Sequence, residues 1–315
     1  MNIAITGASG MLGTSLINCL NSKFNIFATS RDIGLIIKNV NWHCFDLSDL
    51  IELEVWLYKI KPDVLIHCAA IVNVDECELN QDFAYHLHVK TTEIISNYFK
   101  TNNGHLIYIS TDSVFDGTQK EPYSEKDTTN PLNVYSRTKL IGERPVLSLE
   151  KGTVLRTNII GWSLKERISF SEWVLKSSIK KQPVKLFSDV FFSPIHVAAL
   201  SEIIFRIIDR KIYGLFHVGS QDYISKYDFG LIMTRAFGCS SEYFKKTSVD
   251  DIGLKAKRPK NIFLSNNKIT NILGQKLPYV ADGIDSMKNQ YIDGYVAKIK
   301  NRKVSKNFEF WKKND

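Results

Sequence analysis

No stretch of this sequence comes near the ~20 consecutive apolar residues that a membrane-spanning helix needs; its longest apolar runs last only a few residues. There is no CxxC pair. Five cysteines, an odd number, are scattered as Cys19, Cys44, Cys68, Cys77 and Cys239, which argues against a disulfide frame or a zinc site and for reduced thiols in a cytoplasmic protein. No basic segment precedes Asn2-Ile3-Ala4-Ile5-Thr6-Gly7, so a secretory leader is not expected. Internal repeats, low-complexity tracts and nucleic-acid-binding motifs are also missing. What remains is an ordinary globular composition, 44% hydrophobic and 23% charged. A length of 315 residues suits about two structural units, or one large α/β unit with an appendage.

The formal net charge is +8, and much of it is local. Lys298, Lys300, Arg302, Lys303, Lys306, Lys312 and Lys313 face only Glu309 and Asp315 over 298–315. Such a run reads as a solvated tail anchored by Phe308, Phe310 and Trp311, and the mild positive field suits an anionic ligand such as a nucleotide.

Apolar runs alternate with amphipathic stretches through the first half, the pattern of repeated βα units and a parallel sheet. Strands are expected at Asn2–Thr6, Asn25–Thr29, Trp42–Phe45, Val64–Cys68, His105–Ser110 and Thr153–Arg156. Helices are expected at Met11–Leu20, Leu50–Lys59, Phe83–Lys100 and Val134–Glu143, the last ending before Pro145. Farther on, helical periods cover Ile168–Lys180, the stretch from Val197 to Ile208, and Lys226–Phe237, with a strand at Leu215–Val218. We therefore expect a nucleotide-binding core over 1–158, rejoined by about 190–220. A smaller, mostly helical C-terminal substrate lobe would come from 159–189 and 221–315.

Three patterns carry chemistry. Gly7, Ser9, Gly10, Met11, Leu12 and Gly13 belong to a GxxGxxG turn between the first strand and first helix. Glycines there allow a tight turn and close backbone approach to a pyrophosphate at the helix N-terminus. The second strand ends in Ser30-Arg31-Asp32. A hydroxyl and a guanidinium favour a ribose 2′-phosphate and hence NADPH, while Asp32 leaves NADH possible. Tyr135 and Lys139 stand four residues apart on one helix face. A phenol with an ordinary pKa near ~10 works as an acid–base group only when its phenolate is stabilised, which the lysine can do while also bonding the cofactor ribose. Thr111 would end a parallel strand where open α/β sheets place ligands, with its hydroxyl beside the Tyr135 proton.

These segments, together with Asp46-Leu47, Ser110-Thr111-Asp112, Val114-Phe115-Asp116-Gly117, Pro122-Tyr123-Ser124-Glu125 and Pro131-Leu132-Asn133-Val134-Tyr135, resemble the extended short-chain dehydrogenase/reductase superfamily. Within it, the chain is most similar to the dTDP-4-dehydrorhamnose reductase family. The resemblance implies a Rossmann-type doubly wound parallel sheet, a nicotinamide cofactor, and reduction of a 4-keto group on a nucleotide-linked deoxysugar. By position it implies catalytic roles for Thr111, Tyr135 and Lys139. Ser9 to Leu12 would form the pyrophosphate turn, Asp46 and Leu47 the adenine contacts, and Ala69 and Ala70 the stretch beside the cofactor. Asp112 and Ser113 fall on the substrate side.

Three positions depart from the family pattern: Ser113 for a Tyr, Ile159 for a Trp (with Trp162 three residues on), and His88 for an Asn. The first two bear on which sugar is used. Sister dehydratases carry Asp-Glu after the Thr; here Asp112-Ser113 lacks the Glu, which favours simple carbonyl reduction. Phe170 and Trp173 are candidates for stacking on a base, and Arg258 for pairing with a diphosphate. Two alternatives stay open: a cofactor-binding regulatory subunit without turnover, and a 4-epimerase. By analogy with the fold, Phe83–Lys100 and Val134–Glu143 are candidate faces of a homodimer. No metal, nucleic acid or membrane partner is expected.

Overall fold

The computed structural model describes residues 1–34, 37, 39–164 and 168–300. The chain opens as β1 (Asn2–Thr6), α1 (Met11–Leu20), β2 (Asn25–Ser30), β3 (Val40–Cys44), α2 (Leu50–Ile60) and β4 (Val64–His67). It continues through α3 (Val74–Leu79), α4 (Gln81–Tyr85), a π-helical turn at His86–Lys90, α5 (Thr91–Thr101), β5 (His105–Thr111), α6 (Val134–Leu147) and β6 (Gly152–Thr157). Then come β7 (Ile159–Ile160), α7 (Phe170–Ile179), β8 (Val184–Phe187), β9 (Phe191–Phe192), β10 (Ile195–His196), α8 (Val197–Asp209) and β11 (Gly214–Val218). The last elements are β12 (Ile224–Ser225), α9 (Lys226–Ala236), β13 (Phe244–Thr247), α10 (Asn267–Leu273), α11 (Val280–Ile292) and α12 (Tyr295–Ile299).

Seven strands form one sheet in the order β11-β6-β5-β4-β1-β2-β3, and every pairing in it is parallel. Ile3, Ala4 and Ile5 of β1 have no exposed surface, as a parallel sheet covered on both faces requires. One face is covered by Leu12, Leu16 and Leu20 of α1 with Leu200, Ile204 and Ile207 of α8. On the other lie Trp56 of α2, Ile95 and Phe99 of α5, and Val146 of α6. A separate apolar cluster joins α7, α9 and α11 through Val174, Phe229, Met233, Ile284 and Met287. The order of strands reverses between β1 and β4, so a crevice opens above their C-terminal ends. The expected Rossmann-type doubly wound sheet is the observed one. No helix of the described residues is long and apolar enough to cross a membrane.

Three local expectations need correction. The helix carrying Tyr135 does not end before Pro145 but continues to Leu147 with the proline inside it. Burial of Val146 in the core holds the last turn in place, and that gain outweighs the lost N–H. The segment expected as one helix over Phe83–Lys100 starts at Gln81 and contains the π-helical turn. Lys300 is not part of a solvated tail. It is 4% exposed and pairs with buried Glu172 at 2.7 Å. The remainder of that basic run, 301–315, lies outside the described residues.

Candidate active site

The glycine-rich turn has the shape its sequence suggests. Gly7 sits at φ +64°, and a Cβ there would lie 2.8 Å from the backbone of Ala69. A Cβ on Gly13 would lie 2.5 Å from the Gly7 carbonyl oxygen, so α1 starts pressed against the turn. Gly10 caps α1 without a side-chain hydrogen bond, leaving first-turn N–H groups that the helix itself cannot satisfy. Such a cradle fits a dinucleotide pyrophosphate. Ser9 and Leu12 are buried in it, and Met11 packs at the edge of the core.

At the end of β2, Ser30 is buried and its hydroxyl donates to the Asp32 carbonyl, while Arg31 is exposed. The carboxyl of Asp46 is held below its usual range, first by the Ser48 backbone N–H and also by the Arg31 charge. Arg31 and Asp46 therefore share one neighbourhood. Leu47 is buried beside them. Ala69 and Ala70 follow β4 on its C-terminal side, and the Ala69 N–H donates to Thr6 Oγ1 at 3.4 Å.

Thr111 ends β5, 5% exposed. Its hydroxyl accepts the Ser113 N–H at 3.2 Å and donates to Asp112 Oδ1 at 3.2 Å. Asn133 caps α6 by accepting the Ser136 N–H and ties the cap to the Lys257 carbonyl. That start places Tyr135 within hydrogen-bonding reach of Thr111. Lys139, one turn on, is 2% exposed with Nζ 4.0 Å from the Tyr108 ring centre.

Burial, opposed in part by Thr111 and reinforced by the Asp112 charge, holds the Tyr135 phenol above its ordinary pKa. In place of the lowering expected from Lys139, the phenol stands raised, as the neutral, proton-bearing form. Lys139 itself is drawn down to about 7 by burial, against the pull of Glu143 and Cys68. Of the three residues named from sequence, Tyr135 and Thr111 come within reach of each other, and Lys139 lies buried one turn along the same helix, against Tyr108.

His88 has a positioning part. Its Nε2 accepts the Ile71 N–H at 2.9 Å, so the ring proton must sit on Nδ1, which donates to Thr138 Oγ1 at 2.8 Å. Thr138 in turn donates to the Val134 carbonyl at 2.9 Å. The buried imidazole thus joins the loop after Ala69-Ala70 to the helix of Tyr135, and its edge meets the Tyr135 ring at a centroid distance of 5.8 Å.

On the substrate side, Asp112 is fully buried and accepts from Asn158 Nδ2 at 2.7 Å and from Ser113 Oγ at 3.2 Å. Burial pushes its carboxyl up. Facing it from α9 is Lys226, whose ammonium rests on Phe192 at 3.3 Å and Phe170 at 4.6 Å and which burial draws down to about 8. Neither Asn158 nor Lys226 stood out in the sequence: each is a lone polar residue, and only the fold aims it at Asp112. Phe170 packs with Phe192, Phe229 and Trp173, and Trp173 is 40% exposed. Arg258 is engaged elsewhere in the chain, with Nη2 on Asp75 Oδ2 at 2.9 Å and Nη1 on the Ala256 carbonyl. Trp162 is buried in the lobe and donates to the Met287 carbonyl, so it does not replace the Trp missing at Ile159. Among the described residues no cluster of His, Cys, Asp or Glu could hold a metal ion.

Residues 1–292 match the family described as RmlD substrate binding domain. The chain belongs to this family. Among relatives of this RmlD-type protein is the dTDP-4-dehydrorhamnose reductase of Aggregatibacter actinomycetemcomitans, 27% identical, with 86% of this chain and 93% of that one covered. Another is methionine adenosyltransferase 2 subunit beta of Xenopus laevis, 29% identical over 87% of this chain and 84% of the relative. Among solved structures, dTDP-4-dehydrorhamnose reductase of Bacillus anthracis in complex with NADP superposes with a TM-score of 0.80 at 25% identity, covering 92% of this chain and 99% of that one. The RmlD-type chain is thus an extended short-chain dehydrogenase/reductase in both sequence and fold.

Proposed function

We propose that this protein is an NADPH-dependent reductase of a nucleotide-linked 4-keto-6-deoxysugar, with Tyr135 as the proton donor. As a member of its family it is an NAD(P)-dependent oxidoreductase. The finer reading is supported chiefly by one arrangement: a protonated Tyr135 within reach of the Thr111 hydroxyl at the end of β5, with Lys139 buried one turn along the same helix.

When bound, NADPH supplies the hydride for the carbonyl carbon. Gly7 to Gly13 would hold its pyrophosphate, Arg31 and Ser30 its 2′-phosphate, and Lys139 its ribose. Thr111 turns its hydroxyl toward the substrate oxygen and polarises it. Tyr135 hands its proton to the oxygen as negative charge develops there, and Lys139 stabilises the phenolate left behind. With Ser113 in place of a Glu, the site lacks the second acid–base group that eliminating water would require. The substrate lobe, 159–189 with the chain beyond 221, would bind the nucleotide sugar. Arg258 reaches the diphosphate only by leaving Asp75.

A second reading has one specific support, the likeness to methionine adenosyltransferase 2 subunit beta: a cofactor-binding regulatory subunit without turnover. The two separate in one experiment. Purified protein is given NADPH with and without a dTDP-linked 4-keto-6-deoxysugar, and the nicotinamide absorbance is followed. Oxidation that depends on the keto-sugar is expected. A stable complex with a larger enzyme, without NADPH consumption, would support the second reading instead.

A further inference from the structure

Tyr135, Lys139 and Glu143 follow one another at four-residue steps along α6 and so share one face of the helix. The reaction proposed above uses the first two and leaves the third without a task. Glu143 is 2% exposed and its carboxylate is fully engaged. Arg156 Nε donates to Oε1 at 3.0 Å, Arg156 Nη2 to Oε2 at 2.8 Å, and the Ser110 hydroxyl to Oε1 at 2.5 Å. Ser110 and Arg156 are register partners on β5 and β6, and Ser110 directly precedes Thr111. The clamp therefore fastens the catalytic helix to two strands at the level of the catalytic threonine.

A buried ion pair is a poor source of stability, because desolvating both ions costs about as much as their attraction returns. Its place suggests another use. The groups around the Lys139 ammonium are His67 and Cys68 at the end of β4, Tyr108 on β5 and His88 on the π-helical turn, with Tyr135 and Glu143 one turn before and one turn after it on its own helix. Burial keeps both imidazoles neutral and the Cys68 thiol and both phenols protonated. Among these described groups only Glu143 is an anion.

We propose that Glu143 is a positioning residue that acts through Lys139: its charge keeps the ammonium protonated in a dry site, and its clamp holds the catalytic face of α6 in register with Thr111. The proposal rests on reading Lys139 as the cation that supports Tyr135. A buried amine tends to shed its proton, and burial already draws Lys139 down to about 7, with Glu143 the foremost opposing influence. Arg156 stands behind Glu143 and offsets part of its field. The two partners should therefore act on Lys139 with opposite sign, although losing either one breaks the same clamp.

The test is a lysine ε-nitrogen NMR titration of the full chain, with the Lys139 signal assigned by its loss in Lys139→Arg. Glu143→Gln should lower the Lys139 midpoint by about one pH unit, and Arg156→Gln should raise it. The alkaline limb of NADPH-dependent turnover should follow in each case. Midpoints that stay fixed, or that move in the same direction in both variants, would overturn the proposal, since a merely structural clamp predicts one of those results. Should Glu143→Gln not fold, the direction of the Arg156→Gln shift decides alone. The midpoint is read without turnover, so inactivity toward keto-sugars would count against the proposed reaction only, and an unmoved midpoint against Glu143 only.

Discussion

His88 accepts the backbone N–H of Ile71 at 2.9 Å and in doing so fixes which of its own nitrogens carries the proton. The remaining Nδ1–H is spent on Thr138, one residue before Lys139. A single neutral ring thus spans from the loop after β4 to the helix that carries Tyr135. His88→Ala leaves the Ile71 N–H and the Thr138 hydroxyl short of a partner and opens a void. A loss of about 1–3 kcal/mol in denaturant unfolding is expected, with kcat falling more than KM rises. His88→Asn, which keeps an amide able to accept and donate, should recover part of both. An alanine variant of unchanged stability would contradict this role.

Five buried histidines share a pattern. Burial draws His67 and His217 to about 3, His88 to about 2, and His105 and His196 to about 4. In the unfolded chain each takes up a proton near pH 6.5, but in the fold each stays neutral until far lower pH. The unfolded state therefore binds more protons in acid, and stability present above about pH 6.5 is lost as pH falls below it. Thermal unfolding should show a Tm that declines steadily as the pH falls from about 6.5 toward pH 5. A Tm that holds constant down to pH 5 would show that these imidazoles are not buried as described.

Gly7 carries a conformational demand that few other residues meet. Its φ of +64° and the 2.8 Å clearance to Ala69 leave no room for a side chain. Gly7→Ala should cost about 1–2 kcal/mol from the backbone alone, and displacement of Ala69 should cost more. The cradle would distort with it, so NADPH affinity, read by quenching of intrinsic fluorescence, should fall at least about tenfold.

Arg31→Ala bears on which dinucleotide is held. Removing the guanidinium should weaken NADPH binding about tenfold or more and leave NADH binding nearly unchanged, because only the former carries a 2′-phosphate. Equal losses for both, or none for either, would show that Arg31 does not read the 2′-phosphate.

The parts of the fold legible in the sequence are those set by local pattern. The β1 and α1 bounds, Asn2–Thr6 and Met11–Leu20, follow from an apolar run, a glycine turn and a helical period, and they agree with the structure. Pro145 misled because proline stops an isolated helix, while packing of Val146 carries this one onward. The two-residue strands β7, β9, β10 and β12 are too short to show a period, and each exists only through its partner. Helix α11 has its buried positions at Val280, Ile284, Met287 and Tyr291, but Gly283 and a polar remainder masked the period.

In the candidate site, Thr111, Tyr135 and Lys139 are named by spacing and by family likeness. Glu143 was not, since its meaning depends on Arg156, brought in from the neighbouring strand. Lys226 comes to Asp112 from more than a hundred residues away in the chain, and no spacing rule reaches so far.

The account depends most on the Tyr135 phenol giving up its proton. Tyr135→Phe deletes only the hydroxyl, so the direct measurement compares keto-sugar-dependent NADPH oxidation in this variant and the wild type, alongside NADPH binding. The rate should drop at least about a hundredfold while NADPH binding remains within a few-fold of the wild type. Full turnover in the phenylalanine variant would contradict the assignment of the proton donor.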